Sequence, residues 1–310
     1  MTRTADAGIP QEALKQRALA LKLHGLVAHW EELSDPQIDW VRALLQWEDS
    51  ERKRRGLERR LSAAHIGRFK PLADFDWDWP AQCDKAAVSE LMRLDFIKDA
   101  TNVILVGPNG VGKSTIAQNI VHHAVLQGHS ALFVNSAQML GDLAAQEGDN
   151  ALRRRLKHYA HPQVLVIDEV GYLSYGSRHA DLLFNIVNQR YELKPTIVTT
   201  NRPFGEWSEV FPNAACVISI VDRLVHHSEI IVLEGESYRF REAKERASRK
   251  KKSTKSTRSA TPERPQETAD HVDESHTLIH LLGRPGSPCR HRVPGGASRS
   301  ALGDLWRSDR

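Results

Sequence analysis

The chain contains little cysteine and has no long apolar run. Its three cysteines, Cys83, Cys216 and Cys289, are odd in number and scattered over 310 residues, so neither a disulfide framework nor a zinc knuckle is indicated. No uninterrupted apolar segment approaches the roughly 20 residues that a membrane-spanning helix needs. The N-terminus also lacks the apolar core and cleavage site of a secretory signal. These absences predict a cytoplasmic protein with reduced thiols and no membrane contact.

Positive charge is concentrated in two places. The formal net charge is +4 and the pI is near 9.0, which suits a polyanionic partner only where the charge is clustered. One cluster is the run Arg52-Lys53-Arg54-Arg55 with Arg59 and Arg60. It is typical either of a solvated helix face or of a surface for DNA or an acidic partner. The other covers 244–258, which hold eight Lys or Arg against one Glu.

Residues 1–66 are predicted to form a small helical domain. Leucine and tryptophan recur at helical spacing over 10–35, which predicts one amphipathic helix that Pro36 ends. A second helix is predicted over 37–61, with Trp40, Leu44 and Trp47 on one side. Residues 67–82 mix proline and aspartate with aromatics and have no helical period, so 67–100 are expected to be a linker and an entry helix.

Residues 101–243 alternate short apolar runs with helical stretches. This pattern predicts an α/β domain with a five-stranded parallel sheet. Beyond it, 244–310 are rich in basic and small polar residues, and we expect a disordered basic tail. The predicted strands are 103–106, 131–134, 164–167, 196–199 and 230–233, and the predicted helices are 113–127, 137–145, 150–159 and 179–193.

A glycine-rich segment between the first strand and the first helix of this domain matches the phosphate-loop pattern at every fixed position. Glycines let the backbone turn its N–H groups inward around a triphosphate. Lys113, expected to be an exposed loop lysine, would reach the outer phosphates, and the Ser114 hydroxyl would ligate Mg²⁺. The segment therefore predicts ATP and Mg²⁺ as ligands. The predicted nucleotide-binding residues are Gly107, Pro108, Asn109, Gly110, Val111, Gly112, Lys113, Ser114 and Thr115.

Polar side chains follow two further apolar strands. Asp168 and Glu169 end the run that begins at Val164, at the edge of a parallel sheet where ligands bind. Asp168 is predicted to hold Mg²⁺, and Glu169 to polarise the water that attacks the terminal phosphate. Asn201 ends another strand and could hydrogen-bond this water or the γ-phosphate. Alone, the two acids are typical of a solvated strand end and Asn201 of a turn, but together with the phosphate loop they predict a hydrolytic site.

The segments LVIDEVGYL, TTN, VDRLVHH and GESYR, at 165–173, 199–201, 221–227 and 235–239, resemble the IstB-like helper ATPases of insertion sequences. That family belongs to the initiator and loader branch of the AAA+ superfamily and is similar to the DnaC helicase loader. The resemblance implies an ATP-dependent homo-oligomer that binds and remodels duplex DNA and stimulates a transposase. It also implies that Arg223 is an arginine finger acting on a neighbouring subunit.

Two other functions remain open from the sequence. A replicative helicase loader would use nearly the same chemistry on a different partner. A nucleotide switch that does not hydrolyse ATP would have no need of Glu169, which disfavours it. A role for Arg239 as a nucleotide sensor is also open. The basic run 153–157 could face DNA, but a solvated helix is the favoured interpretation for each of its residues.

Overall fold

The computed structural model describes residues 10–172, 175–212 and 214–258. Its centre is a five-stranded, wholly parallel sheet with the strand order β2-β3-β4-β1-β5, which confirms the predicted fold class. The strands form where apolar runs can be covered on both sheet faces. They are β1 (Asn102–Val106), β2 (Ala131–Asn135), β3 (Val164–Val170), β4 (Thr196–Thr200) and β5 (Ser228–Val232).

Helices cover both faces of this sheet. The C-terminal part of α3 and helix α6 cover one face, and α7, α9 and α11 cover the other. The helices are α1 (Gln11–Ala20), α2 (His24–Ala28), α3 (Asp35–Ala64), α4 (Lys85–Leu91), α5 (Asp95–Lys98), α6 (Lys113–Leu126), α7 (Ser136–Ala144), α8 (Asp149–Ala160), α9 (Ser177–Arg190), α10 (Trp207–Val210), α11 (Ala214–His226) and α12 (Tyr238–Arg258).

The single helix predicted over 10–35 is wrong. Lys22 adopts a left-handed conformation (φ 62°), which ends α1 and allows α2 to pack back on it around the buried Leu14 and Trp30. Pro36 lies in the first turn of α3 instead of ending the preceding helix. Proline lacks a backbone N–H, and this costs nothing in the first turn of a helix, where N–H groups have no acceptor within the helix. Packing of α1 and α2 around Leu14 and Trp30 buries apolar surface, and this stabilises the broken arrangement more than one continuous helix would.

Helix α3 joins the N-terminal helices to the sheet. Its 30 residues span about 45 Å. Val41 and Leu45 pack with α1 and α2, and Ala64 packs with α6 on the sheet. The predicted apolar side is not the buried one, because Trp40 and Trp47 are 60% and 64% exposed.

Helix α12 runs from Tyr238 to Arg258 and crosses residue 244, where the basic tail is predicted to begin. Ion pairs one turn apart, Arg241 with Glu245 at 2.8 Å and Arg246 with Glu242 at 3.4 Å, support the helix. The remainder of the predicted tail, 259–310, lies outside the described residues. Among the residues that are described, no helix is both long and apolar enough to cross a membrane.

Candidate active site

The glycine-rich loop connects β1 to α6 and is confined on two sides. Gly110 and Gly112 have φ values of 83° and 109°, a region that only glycine enters easily. A Cβ at Gly112 would lie 2.5 Å from Cε2 of Phe75, and one at Gly110 would lie 2.1 Å from Oγ of Ser237. The pattern of glycines is thus required by tertiary packing as well as by backbone conformation.

Lys113 is the first residue of α6, and it is buried, with 8% of its surface exposed. This corrects the expectation of an exposed loop lysine. Its Nζ donates to the carbonyl oxygens of Gly107 at 2.6 Å and Pro108 at 2.8 Å. Burial lowers the pKa of Lys113, and the nearby Asp168 and Glu169 partly oppose the shift. A bound anion would supply the close negative charge that the ammonium lacks.

Asp168 and Ser114 lie together, as the sequence predicts for a Mg²⁺ site. The Ser114 hydroxyl donates to Asp168 Oδ1 at 2.9 Å. Thr199, on the adjacent strand β4, donates to the same oxygen at 2.5 Å. Mg²⁺ prefers oxygen ligands, so the hydroxyl and carboxylate oxygens of this set fit the ion. Thr199 was not predicted as a site residue because its role depends on the pairing of β3 with β4.

Glu169 has an unusual backbone. Its φ of 61° is uncommon for a residue other than glycine, and the register of β3 against β4 shifts at this point, between Ile167 and Val170. Such strain persists only where the surroundings impose it. Here the Glu169 N–H donates to Thr199 Oγ1 at 2.9 Å, and its carbonyl accepts from Ser136 at 2.8 Å.

The Glu169 carboxylate is oriented by a residue that the sequence analysis missed. Asn135, at the end of β2, donates from Nδ2 to Glu169 Oε2 at 2.8 Å. The sequence does place Asn135 at the carboxyl end of a predicted strand, and in a parallel sheet these ends lie at one edge. It does not show that β2 lies next to β3, and this strand order is what brings Asn135 to Glu169.

Asn201 follows β4 and faces the same space. Its Oδ1 is buried and has no hydrogen-bond partner among the described residues. Buried polar atoms are rarely left unpaired, so this oxygen is available to a water or a ligand.

Residues 109–115 of the loop and helix α6, together with Asp168, Glu169 and Asn201, line one cavity of about 530 Å³. Part of its wall comes from the predicted linker, which contributes Phe75 and Trp79, and part from the start of α12, which contributes Tyr238 and Arg239. The Tyr238 N–H donates to the Gly110 carbonyl at 2.9 Å. The GESYR segment therefore lies in direct contact with the phosphate loop. The described residues that line the cavity and were predicted as site residues are Asn109, Gly110, Val111, Gly112, Lys113, Ser114, Thr115, Asp168, Glu169 and Asn201.

Arg223 is not among the described residues that line this cavity. It lies near the end of α11, where its guanidinium rests over the rings of Phe184 at 4.8 Å and Tyr191 at 5.8 Å. One nitrogen donates to the Ser219 carbonyl at 3.2 Å. The structure therefore does not bring Arg223 to the phosphate loop of its own chain.

The basic run on α3 is largely neutralised by its own helix. Arg52 pairs with Glu48 at 2.7 Å, and Arg54 and Arg55 both pair with Glu51 at 2.7 Å. This favours a solvated helix face for those three arginines. The basic residues of α8 are not all free of partners within the chain. Arg155 donates hydrogen bonds to Asp142 and Tyr159. The exposed basic side chains of that helix are Arg153, Arg154 and Lys157.

A family model described as IstB-like ATP binding protein matches residues 12–247. The chain belongs to this family. It is 38% identical over 201 residues to the insertion sequence IS21 putative ATP-binding protein of Pseudomonas aeruginosa, covering 65% of this chain and 76% of that protein. It is 33% identical to the corresponding IS5376 protein of Geobacillus stearothermophilus, covering 65% of this chain and 80% of the relative. Membership of the IstB-like family identifies the chain as an ATP-binding protein with an AAA+ P-loop fold.

Solved structures of lower identity also resemble the IstB-like chain. The crystal structure of DnaI covers 56% of this chain and 91% of its own, with 19% identity and a TM-score of 0.46. The crystal structure of the DnaC helicase loader covers 57% of this chain and 99% of its own, with 18% identity and a TM-score of 0.41.

Proposed function

We propose that the protein hydrolyses ATP to ADP and phosphate and uses this cycle in DNA transposition. It assembles into ATP-dependent homo-oligomers, binds and remodels duplex DNA, and stimulates the transposase encoded by the same element. The observation that carries the proposal is the convergence of the phosphate loop, Asp168, Glu169 and Asn201 on one cavity. The insertion-sequence proteins among its relatives support the role in transposition over helicase loading.

In the proposed reaction, loop N–H groups and the Lys113 ammonium bind the β- and γ-phosphates. Ser114 and Asp168 would hold Mg²⁺, which offsets the phosphate charge when bound. Glu169 accepts a proton from the attacking water. The unpaired Oδ1 of Asn201 accepts a second hydrogen bond from that water and so fixes its direction.

Arg223 completes the site of a neighbouring subunit in this proposal. A guanidinium beside the transferred phosphoryl group stabilises the charge that develops there. Two observations support action between subunits. Arg223 does not line the cavity of its own chain, and it is only half-buried, on an aromatic support formed by Phe184 and Tyr191.

DNA binding is supported by positive charge outside the cavity. Arg153, Arg154 and Lys157 are exposed on α8, and α12 carries the second basic cluster of the sequence, 244–258. Contacts from lysine and arginine to phosphates supply most sequence-independent DNA affinity. Because α12 begins at the nucleotide cavity with Tyr238 and Arg239, ATP can influence the position of this basic helix.

The catalytic part is tested with Glu169→Gln. The amide keeps the shape of the side chain but cannot take up a proton, so ATP affinity should stay near wild type while hydrolysis falls about 10²- to 10⁴-fold. Nucleotide titration and steady-state phosphate release measure the two quantities. Glu147→Gln, an exposed glutamate between α7 and α8, is the matched control and should behave as wild type. Undiminished turnover in Glu169→Gln would mean that another group activates the water.

A further inference from the structure

Three potential metal ligands meet on the surface where α9 and α11 end. Glu192 follows the last turn of α9, His226 is the last residue of α11, and His227 is the next residue before β5. One ligand atom from each lies within 4.8 Å of the other two. None of the three belongs to the nucleotide cavity.

The distances approach those of a coordination sphere. Glu192 Oε1 lies 3.7 Å from His226 Nδ1 and 3.9 Å from His227 Nε2. With metal–ligand bonds of about 2.1 Å, tetrahedral ligands lie about 3.4 Å apart. Small side-chain rotations would therefore bring the three atoms to a common ion. All three residues are exposed, so an ion has free access to them.

The surroundings favour a cation. The C-terminal ends of two helices carry partial negative charge, and here both ends, of α9 and α11, adjoin the three ligands. Glu192 also has a φ of 56°, a conformation that is uncommon outside glycine. This backbone directs the chain away from α9 at the point where the carboxylate meets the two imidazoles.

We propose that Glu192, His226 and His227 form a binding site for a transition-metal dication of the Zn²⁺ type. Two imidazoles and one carboxylate suit Zn²⁺, Co²⁺ or Ni²⁺, whereas Mg²⁺ prefers oxygen ligands alone. Three protein ligands leave an open position for water. His226 Nδ1 also lies 2.8 Å from the Tyr191 hydroxyl, and metal binding at this nitrogen replaces that hydrogen bond.

The site lies one helical turn beyond Arg223 and shares its support. The ring of Tyr191 lies 5.8 Å from the Arg223 guanidinium and 5.9 Å from the ring of His226. An ion that draws His226 away from Tyr191 therefore changes the contacts of Tyr191, which forms part of the aromatic support of Arg223. The metal site itself does not depend on the role of Arg223, because its test measures metal binding and not ATP hydrolysis.

The test is a Zn²⁺ titration of the full chain against a chromogenic chelator, in a large excess of Mg²⁺ that occupies the phosphate-loop site. We expect one Zn²⁺ per chain that is lost in His226→Ala, His227→Ala and Glu192→Gln. Each change should weaken Zn²⁺ binding by more than about 10-fold. Substitution of residues that only hydrogen-bond to metal ligands already costs about 10- to 100-fold in affinity. His29→Ala is the matched control and should keep full affinity. His29 also pairs with a glutamate, Glu32, at 2.8 Å, but no third ligand joins them among the described residues.

Residues outside the described part of the chain could also take up Zn²⁺, namely His271, His276, His280, Cys289 and His291. The three variants separate the two sources. Binding that is unchanged in all three would assign the metal to other ligands and overturn the proposal, as would no binding in the wild type. The visible spectrum of a Co²⁺-substituted sample adds an independent readout. The intense bands of a low-coordinate site should appear in wild type and His29→Ala and be absent from His226→Ala.

Discussion

At the scale of single residues, Phe75 and Gly112 show how tertiary packing shapes the phosphate loop. The ring of Phe75 occupies the place that a side chain on Gly112 would need. Phe75 belongs to the predicted linker, a segment that is fastened to α6, where Asn119 donates to the Lys70 carbonyl at 2.9 Å and accepts from the Leu72 N–H at 2.8 Å. The loop is therefore held in shape by residues about 40 positions upstream.

Gly112→Ala should weaken ATP binding more than about tenfold. The added Cβ would meet Phe75 at 2.5 Å, so the loop must shift, and each charged hydrogen bond lost is worth about 1.5–3 kcal/mol. Gly128→Ala is the control, since Gly128 has a similar φ of 100° but nothing within 4 Å of its Cβ. It should lower stability by about 1–3 kcal/mol and leave ATP affinity unchanged. Equal ATP affinities in a fluorescent-nucleotide titration of the two variants would show that Phe75 does not confine the loop.

Sequence patterns could predict the site residues that act through local geometry. Lys113 and Asp168 stand in fixed relation to a strand and a helix, and each lines the cavity as expected. Asn135, Thr199 and Ser237 could not be predicted in the same way. Their roles arise from strand order and from the approach of distant segments, and neither is encoded in a local spacing.

At the scale of secondary structure elements, Arg190 connects the ends of three of them. Its side chain is only 1% exposed and donates to Thr196 Oγ1 at the start of β4. Further donations reach the carbonyls of Ala160 at 3.0 Å, at the end of α8, and of Gln163 at 3.1 Å, before β3. Desolvation lowers the pKa of Arg190 to about 9, so the guanidinium stays charged at neutral pH and is stabilised by these oxygens.

Arg190→Met should destabilise the fold by about 3–5 kcal/mol, because the carbonyl oxygens that it bonds would lose their donors. Arg153→Met, on the exposed face of α8, should change stability by less than about 0.5 kcal/mol. Denaturant unfolding of the two variants measures the difference. Similar midpoints would mean that water replaces the guanidinium at little cost.

The strands could be predicted more accurately than the N-terminal and C-terminal helices. Buried apolar runs have few alternatives in an α/β domain, and each predicted strand appears within three residues of its expected bounds. The break after α1 depends on Lys22 entering a left-handed conformation, which lysine rarely adopts. Helix α12 depends on ion pairs and on the docking of its first turn at Gly110, and the basic composition of 244–258 does not indicate either.

At the scale of the whole molecule, duplex DNA binding should be strong only with ATP and should weaken steeply with salt. Each phosphate contact contributes about −0.9 to the slope of log K against log salt. Replacing Arg153 and Arg154 with glutamine should therefore reduce that slope by about 2. Replacing Arg52 and Arg55, which are already paired with glutamates, should change it less. Fluorescence anisotropy over a salt series measures both, and identical slopes would exclude α8 from the DNA surface.

We propose that the ATPase site is completed by a second subunit, with Glu169 from one chain and Arg223 from the next. The most direct measurement is steady-state phosphate release from a mixture of two inactive variants, Glu169→Gln and Arg223→Ala. Each variant should bind ATP alone and hydrolyse it very slowly. When they are mixed, interfaces that combine an intact Arg223 with an intact Glu169 should restore part of the activity. A mixture that stays inactive although mixed oligomers are shown to form would contradict a shared site and assign Arg223 to its own subunit.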